Sequence, residues 1–239
     1  MRIAIAVLII LGAVFLSLFI RVRIKKAAAG SLIFKSLTSV CFILTSLCAL
    51  RISLTFGDAA GYGLFTTAGL LFGLLGDVWL DLRYNCRSES VTYTFAGFIA
   101  FAVGHIFFLI ALIRYCMNGA GAGFVLIPFI LAAVLGVGIV AAGPVLHLDY
   151  GVFKKITVIY AALLISSALV SGSLLIHSAF GSVRLRFFFI GSVLFLLSDL
   201  ILSGTYFGQG KDRPVDIISN HVFYYGAQFL IALSAAFAG

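Results

Sequence analysis

Eight stretches of this chain stay apolar for long enough to cross about 30 Å of hydrocarbon at ~1.5 Å per residue. They fall at residues 3–20, 32–50, 62–82, 92–113, 122–143, 155–177, 184–204 and 215–237. Inside lipid every backbone N–H and C=O must find a partner within the protein, which leaves only helices or closed barrels. Barrel strands alternate apolar and polar residues over about ten positions, and these runs do not. The sequence therefore predicts an all-α fold: a polytopic membrane bundle of eight transmembrane helices, forming one integral domain over residues 1–239.

Composition excludes the soluble alternatives. An ordinary soluble domain carries about 25% charged residues, whereas this chain has 10% charged and 63% hydrophobic residues. The net charge of +8 does not make nucleic acid a partner, because no basic stripe runs along the chain to follow a phosphate backbone. Lys and Arg sit instead in short clusters between spans, where they orient helices or meet anionic headgroups of membrane lipid. With the N-terminus outside, eleven fall on the inner side: Arg21, Arg23, Lys25, Lys26, Lys35, Arg83, Arg87, Lys154, Lys155, Lys211 and Arg213. Only Arg2, Arg51, Arg114, Arg184 and Arg186 fall on the outer side. This bias predicts a multi-pass protein of a cell (inner) membrane with both termini outside the cytoplasm. The first run leads straight into Arg21 and Arg23 without a small-residue cleavage site, and so reads as a retained helix. The four cysteines have no metal or redox spacing.

Against this background the third run stands out, because Leu71–Asp81 carries Asp77 within an apolar helix. An ionisable side chain at membrane depth costs at least ~2.5–3.5 kcal/mol on insertion scales, so such a residue needs a reason. Asp81 follows one turn later on the same face, nearer the interface, where Arg83 or Arg87 is the expected partner. Residues 72–84 also match residues 194–206 at Asp77/Asp199 and Tyr84/Tyr206, besides three leucines. The two segments are four spans apart and run in one direction, compatible with a parallel duplication of a four-helix unit. Gly69 and Gly73 add a small-xxx-small pair for close helix approach.

The other polar positions within spans are His105, His221, Tyr224, Tyr225 and Gln228. Nearly all belong to helices 3, 4, 7 and 8, which predicts a polar pocket among those four with helices 1, 2, 5 and 6 as an aliphatic and aromatic shield. Each has a plainer alternative. A carboxylate can simply lock a helix interface, His105 can be a hydrogen-bonded core histidine, and the tyrosines can belong to an aromatic belt. The lysines and Arg213 are most simply orienting charges. Ser166 and Ser167 lack a neighbouring base in sequence, so no serine nucleophile is built on them.

Taken together, Gly76-Asp77, Gly104-His105, the run Gly191–Asp199 and the run Tyr225–Ile231 resemble the YhhN-type lysoplasmalogenase family of eight-span membrane proteins. Ser192 stands where that family's run would lead one to expect Ala. The resemblance implies hydrolysis of the vinyl ether bond of a lysoplasmalogen, a lysophospholipid, to a fatty aldehyde and a glycerophospho-ethanolamine or -choline. Cleaving an enol ether needs a proton on carbon, then water on the resulting oxocarbenium-like cation, and glycosidases handle a similar cation with two carboxylates. On this reading Asp77 and Asp199 share the acid and base roles, and His105 or His221 orients or relays a proton. Asp81, His221, Tyr224, Tyr225 and Gln228 then meet the substrate. No cofactor is expected, although two Asp and two His are also the residue types that hold a divalent metal. Two other classes stay open: a small-solute or proton-coupled transporter, and a purely structural or partner-binding membrane protein. Transporters often carry broken helices at the substrate site, and the Asp-bearing runs here contain no proline.

Overall fold

The computed structural model describes residues 1–55, 60–116, 119–208 and 213–237; Lys211, counted above among the inner charges, lies outside them. The described residues form eight α-helices and no sheet beyond an isolated Leu148–Gly208 bridge. They are α1 (Arg2–Ile24), α2 (Ala28–Thr55), α3 (Ala60–Asn85), α4 (Ser90–Cys116), α5 (Gly123–Ala141), α6 (Lys154–His177), α7 (Val183–Phe207) and α8 (Pro214–Ser234). Seven of them, α1 to α7, are long and apolar enough to cross a membrane by length and composition. Helix α8 has 21 residues, about 31 Å at ~1.5 Å each, but Asn220, His221, Tyr224, Tyr225 and Gln228 dilute its apolar character. Four of those five are buried and turn inward.

Several helices overrun the apolar stretches. Helix α2 starts at Ala28, so Lys35 lies about two turns inside it and is buried. Helix α1 runs on to Ile24, carrying Arg23 toward α3.

Helices adjacent in sequence pack together within α1–α4 and again within α5–α8. Helix α4 packs on α6, and α8 on α2. Moving every helix four places along the chain turns the first of these contacts into the second. That much of the neighbour pattern repeats, whereas the α1–α8 and α3–α8 contacts have no counterpart of like size. Phe42, Phe108, Phe188 and Phe195 are fully buried in the shared core.

Helices α3 and α4 approach closely because glycine faces glycine. A Cβ at Gly104 would lie 3.0 Å from the Gly69 carbonyl oxygen, and one at Gly69 would strike the Phe108 ring. Gly73 serves a different helix, its near neighbour being Gln228 of α8, so the Gly69/Gly73 pair is divided between two partners. Overpacking costs ~1–3 kcal/mol. Gly104→Leu is therefore expected to lower the Tm in detergent by several degrees, while Gly121→Leu, in open space, leaves it unchanged.

Candidate functional site

Asp77 and Asp199 line one cavity of about 510 Å³, within the ~300–1,000 Å³ usual for small-molecule sites. It extends from these carboxylates to Lys26, Arg87 and Pro214, at the end of the bundle that holds the α1–α2 and α3–α4 connections. Farther along the helices its wall is apolar, formed by residues such as Phe101, Leu164 and Leu196. All eight helices contribute, so the pocket is not confined to helices 3, 4, 7 and 8. The expectation of an aliphatic shield fails for α1, α2 and α6, which supply Arg23, Lys35 and Tyr160.

The Asp77 side chain is 2% exposed and fully engaged. Its Oδ2 accepts from Ser39 Oγ at 2.7 Å and from the Tyr224 hydroxyl at 2.8 Å. Its Oδ1 lies 3.3 Å from Lys35 Nζ. Gln228 Nε2 donates to the Tyr224 oxygen at 2.9 Å, which fixes the hydroxyl proton on Asp77. Tyr225 works one step back, donating to the Lys35 carbonyl at 3.1 Å. Tyr224 lines the cavity, whereas Tyr225 and Gln228 do not. Expected to meet substrate, the latter two instead position Asp77 and its partners.

Asp81 also differs from expectation. It is buried beside the cavity, and its Oδ1 faces Arg23 at 3.4 Å and Lys35 at 3.8 Å rather than Arg83 or Arg87. The Arg83 guanidinium lies over the Tyr206 ring at 4.1 Å instead. Lys35 thus stands between two carboxylates, and Arg23 closes the group from α1. Removing charges from water is repaid only where every charge meets an opposite one, and here two acids meet two bases.

Asp199 has a different environment. It is partly buried, accepts the Tyr160 hydroxyl, and has no cation partner among the described residues. Next to it, Asn220 Nδ2 donates to the Ser198 carbonyl and hydroxyl at 2.7 and 3.0 Å, fastening α8 to α7. At the offset between the two acids (199 − 77 = 122), Lys35 corresponds to Thr157, and both line the cavity. The two carboxylates therefore share a chamber but not a charge environment.

The two histidines have different surroundings. His105 is buried outside the cavity, with its ring centroid 4.9 Å from Phe195 and 5.8 Å from Tyr160. Ser167 gives its only hydrogen to the Leu163 carbonyl, so it accepts from His105 Nδ1 at 3.0 Å. His221 lines the cavity, but its Nδ1 donates to the Ile217 carbonyl at 2.8 Å.

Comparison with known proteins falls on this arrangement. The YhhN family model matches residues 30–235, a span holding both acids, Lys35, Tyr160 and the inward face of α8. The chain belongs to the YhhN family. No curated protein and no solved structure matches it.

In this YhhN-family site the residues that sequence reasoning missed are Lys35, Ser39 and Tyr160. Ser31, Lys35 and Ser39 recur every four residues on one face of α2, a stripe that marks an inward face. Of the Asp and His set weighed above for a divalent metal, His105 lies off the cavity, while His221 lines it with Nδ1 bonded to the Ile217 carbonyl. Among the described residues no three His, Cys, Asp or Glu side chains group to hold an ion.

Proposed function

We propose that this protein is a membrane-embedded hydrolase of vinyl ether lysophospholipids, with Asp199 as the general acid and Asp77 as the carboxylate that stabilises the cation and activates water. One observation carries the reading: two carboxyl groups face one cavity, and only one of them has a lysine beside it. Family membership supports the substrate class. The cavity suits an amphiphile, since its wall farther along the helices is apolar and its opening is basic.

The balanced reaction adds one water. The Asp199 carboxyl group gives its proton to the vinyl carbon distal to oxygen, leaving an oxocarbenium-like cation beside the Asp77 carboxylate. Asp77 takes a proton from the attacking water, which yields a hemiacetal. The hemiacetal collapses as its hydroxyl loses a proton and the glycerol oxygen gains one, releasing aldehyde and glycerophospholipid headgroup. Tyr224 and Ser39 hold the Asp77 oxygens in place through that sequence. His105 takes no part in the proton transfer. In the same reading α8 crosses the bilayer as an eighth span, both termini lie outside, and the cavity opens to the cytoplasm.

In D2O the aldehyde, trapped by reduction as it forms, is expected to carry one deuterium on the carbon next to the carbonyl. Aldehyde without that label removes the carbon-protonation mechanism. Solute flux into vesicles with no product from any lysolipid points instead to a transporter.

A further inference from the structure

The cavity opening carries positive charge that the chemistry above does not use. Of its cationic lining residues, Lys35 is paired with Asp77 and Arg23 with Asp81. Asp216, also at the opening, is held by Arg213 at 2.9 Å. Lys26 and Arg87 remain, exposed and without an ion-pair partner among the described residues. They come from two different connections, the α1–α2 turn and the 3₁₀ turn Arg87–Glu89. Arg23, which lines the same cavity, is stacked on the Tyr84 ring at 3.5 Å, with further N–H donors to offer.

The backbone fixes where Lys26 sits. Ala27 N bonds the Val22 carbonyl at 3.1 Å and Lys26 N the Arg23 carbonyl at 2.9 Å, closing α1 with a doubly bonded cap. Such a cap puts its central residue in the left-handed region, and Lys26 has φ +57° there. Glycine occupies that position without strain, and a side chain does not. His147, Ala179 and Phe180 are left-handed as well, Ala179 in a cap of the same kind at the end of α6, so this conformation places Lys26 and does not by itself mark a ligand.

We infer that Lys26 and Arg87, backed by Arg23, form a phosphate subsite at the cavity opening that takes the phosphodiester of the lysolipid headgroup. The inference rests on the hydrolase reading for the lipid's identity. Two unpaired cations on separate turns can grip one anionic phosphate from two sides, as charge-assisted hydrogen bonds do. The tail then lies along the apolar wall and the ether oxygen falls between the headgroup and the acids.

The test compares a vinyl ether glycerophosphoethanolamine with the phosphate-free 1-alkenylglycerol of the same chain length, using purified full-length protein in detergent. Lys26→Gly suits it, because the substitution relaxes the backbone while removing the charge; Arg87→Gln is the second variant. Each is expected to raise KM for the phosphate substrate about tenfold or more with kcat unchanged, and to leave alkenylglycerol turnover as it was. Equal changes for both substrates, or no preference by the unaltered protein, overturn the subsite. Binding of the saturated 1-alkyl lysophospholipid, which has no vinyl ether to cleave, is measured alongside. Binding that both variants weaken, without aldehyde release from any substrate, keeps the subsite and ends the hydrolase reading. If inorganic phosphate binds at Lys26 and Arg87 while neither variant alters lysolipid binding, the site serves a free anion and the headgroup assignment is wrong.

Discussion

Asp77→Asn and Asp199→Asn are each expected to lower aldehyde release by at least about 10²-fold, and up to ~10⁴-fold, with the folded protein intact. An amide nearly matches the carboxyl group in shape, so packing around either residue is kept. Its chemistry is not. An amide at position 199 has no acidic proton to place on carbon. One at position 77 neither faces a developing cation with negative charge nor accepts a proton from water. The Asp77 change also leaves Lys35 and Arg23 facing one carboxylate, Asp81, and is expected to lower the Tm while the protein still folds. Turnover in detergent, with Tm measured on the same samples, separates lost chemistry from lost fold. Near-normal turnover by either folded variant removes that residue from the mechanism. His105→Gln supplies the contrast, since His105 lies outside the cavity; it is expected to keep most of the activity.

Removing Lys35 should have the largest effect on stability. Asp77, Asp81, Lys35 and Arg23 form a neutral group, and both acids are almost wholly buried at 2% and 1% exposure. Lys35→Met is close in size but leaves an uncompensated negative charge in a medium that cannot solvate it. Breaking a buried pair in this way costs about 3–5 kcal/mol. Adding Asp77→Asn to Lys35→Met removes that charge, keeps the Arg23–Asp81 pair at 3.4 Å and is expected to recover part of the lost Tm. A single variant that melts with the unaltered protein, or a double variant that melts below the single one, would show that charge balance does not hold α1, α2 and α3 together here.

The helical order and the two acids were legible in the sequence for strong physical reasons. Lipid leaves the backbone no alternative to helix over a long apolar run, and a carboxylate inside such a run is conspicuous. Lys35 was not legible because hydropathy began the second run at residue 32, which made the lysine look like an edge charge; the helix begins at Ala28. Its polar neighbours were ambiguous as well. A serine or threonine in a helix can satisfy itself on the carbonyl four residues back, as Thr45 does on Cys41 and Ser171 on Ser167. A hydroxyl in an apolar run therefore does not reveal which way it faces. His105 misled for the converse reason: a buried imidazole was expected to seek a carboxylate, and Ser167 with surrounding aromatic rings suffices. In α8 the side chains that build the site are the ones that weaken its lipid-crossing signature.

The near-twofold arrangement of helices raises a difficulty that Lys35 resolves. Two equivalent acids facing each other have no basis for one to be donor and the other acceptor, and a reaction needing both at once would stall on that ambiguity. A lysine on one half, with threonine at the matching offset on the other, breaks the equivalence. Under the proposed mechanism the two acids form a matched pair, and a single unmatched amine gives its members different work.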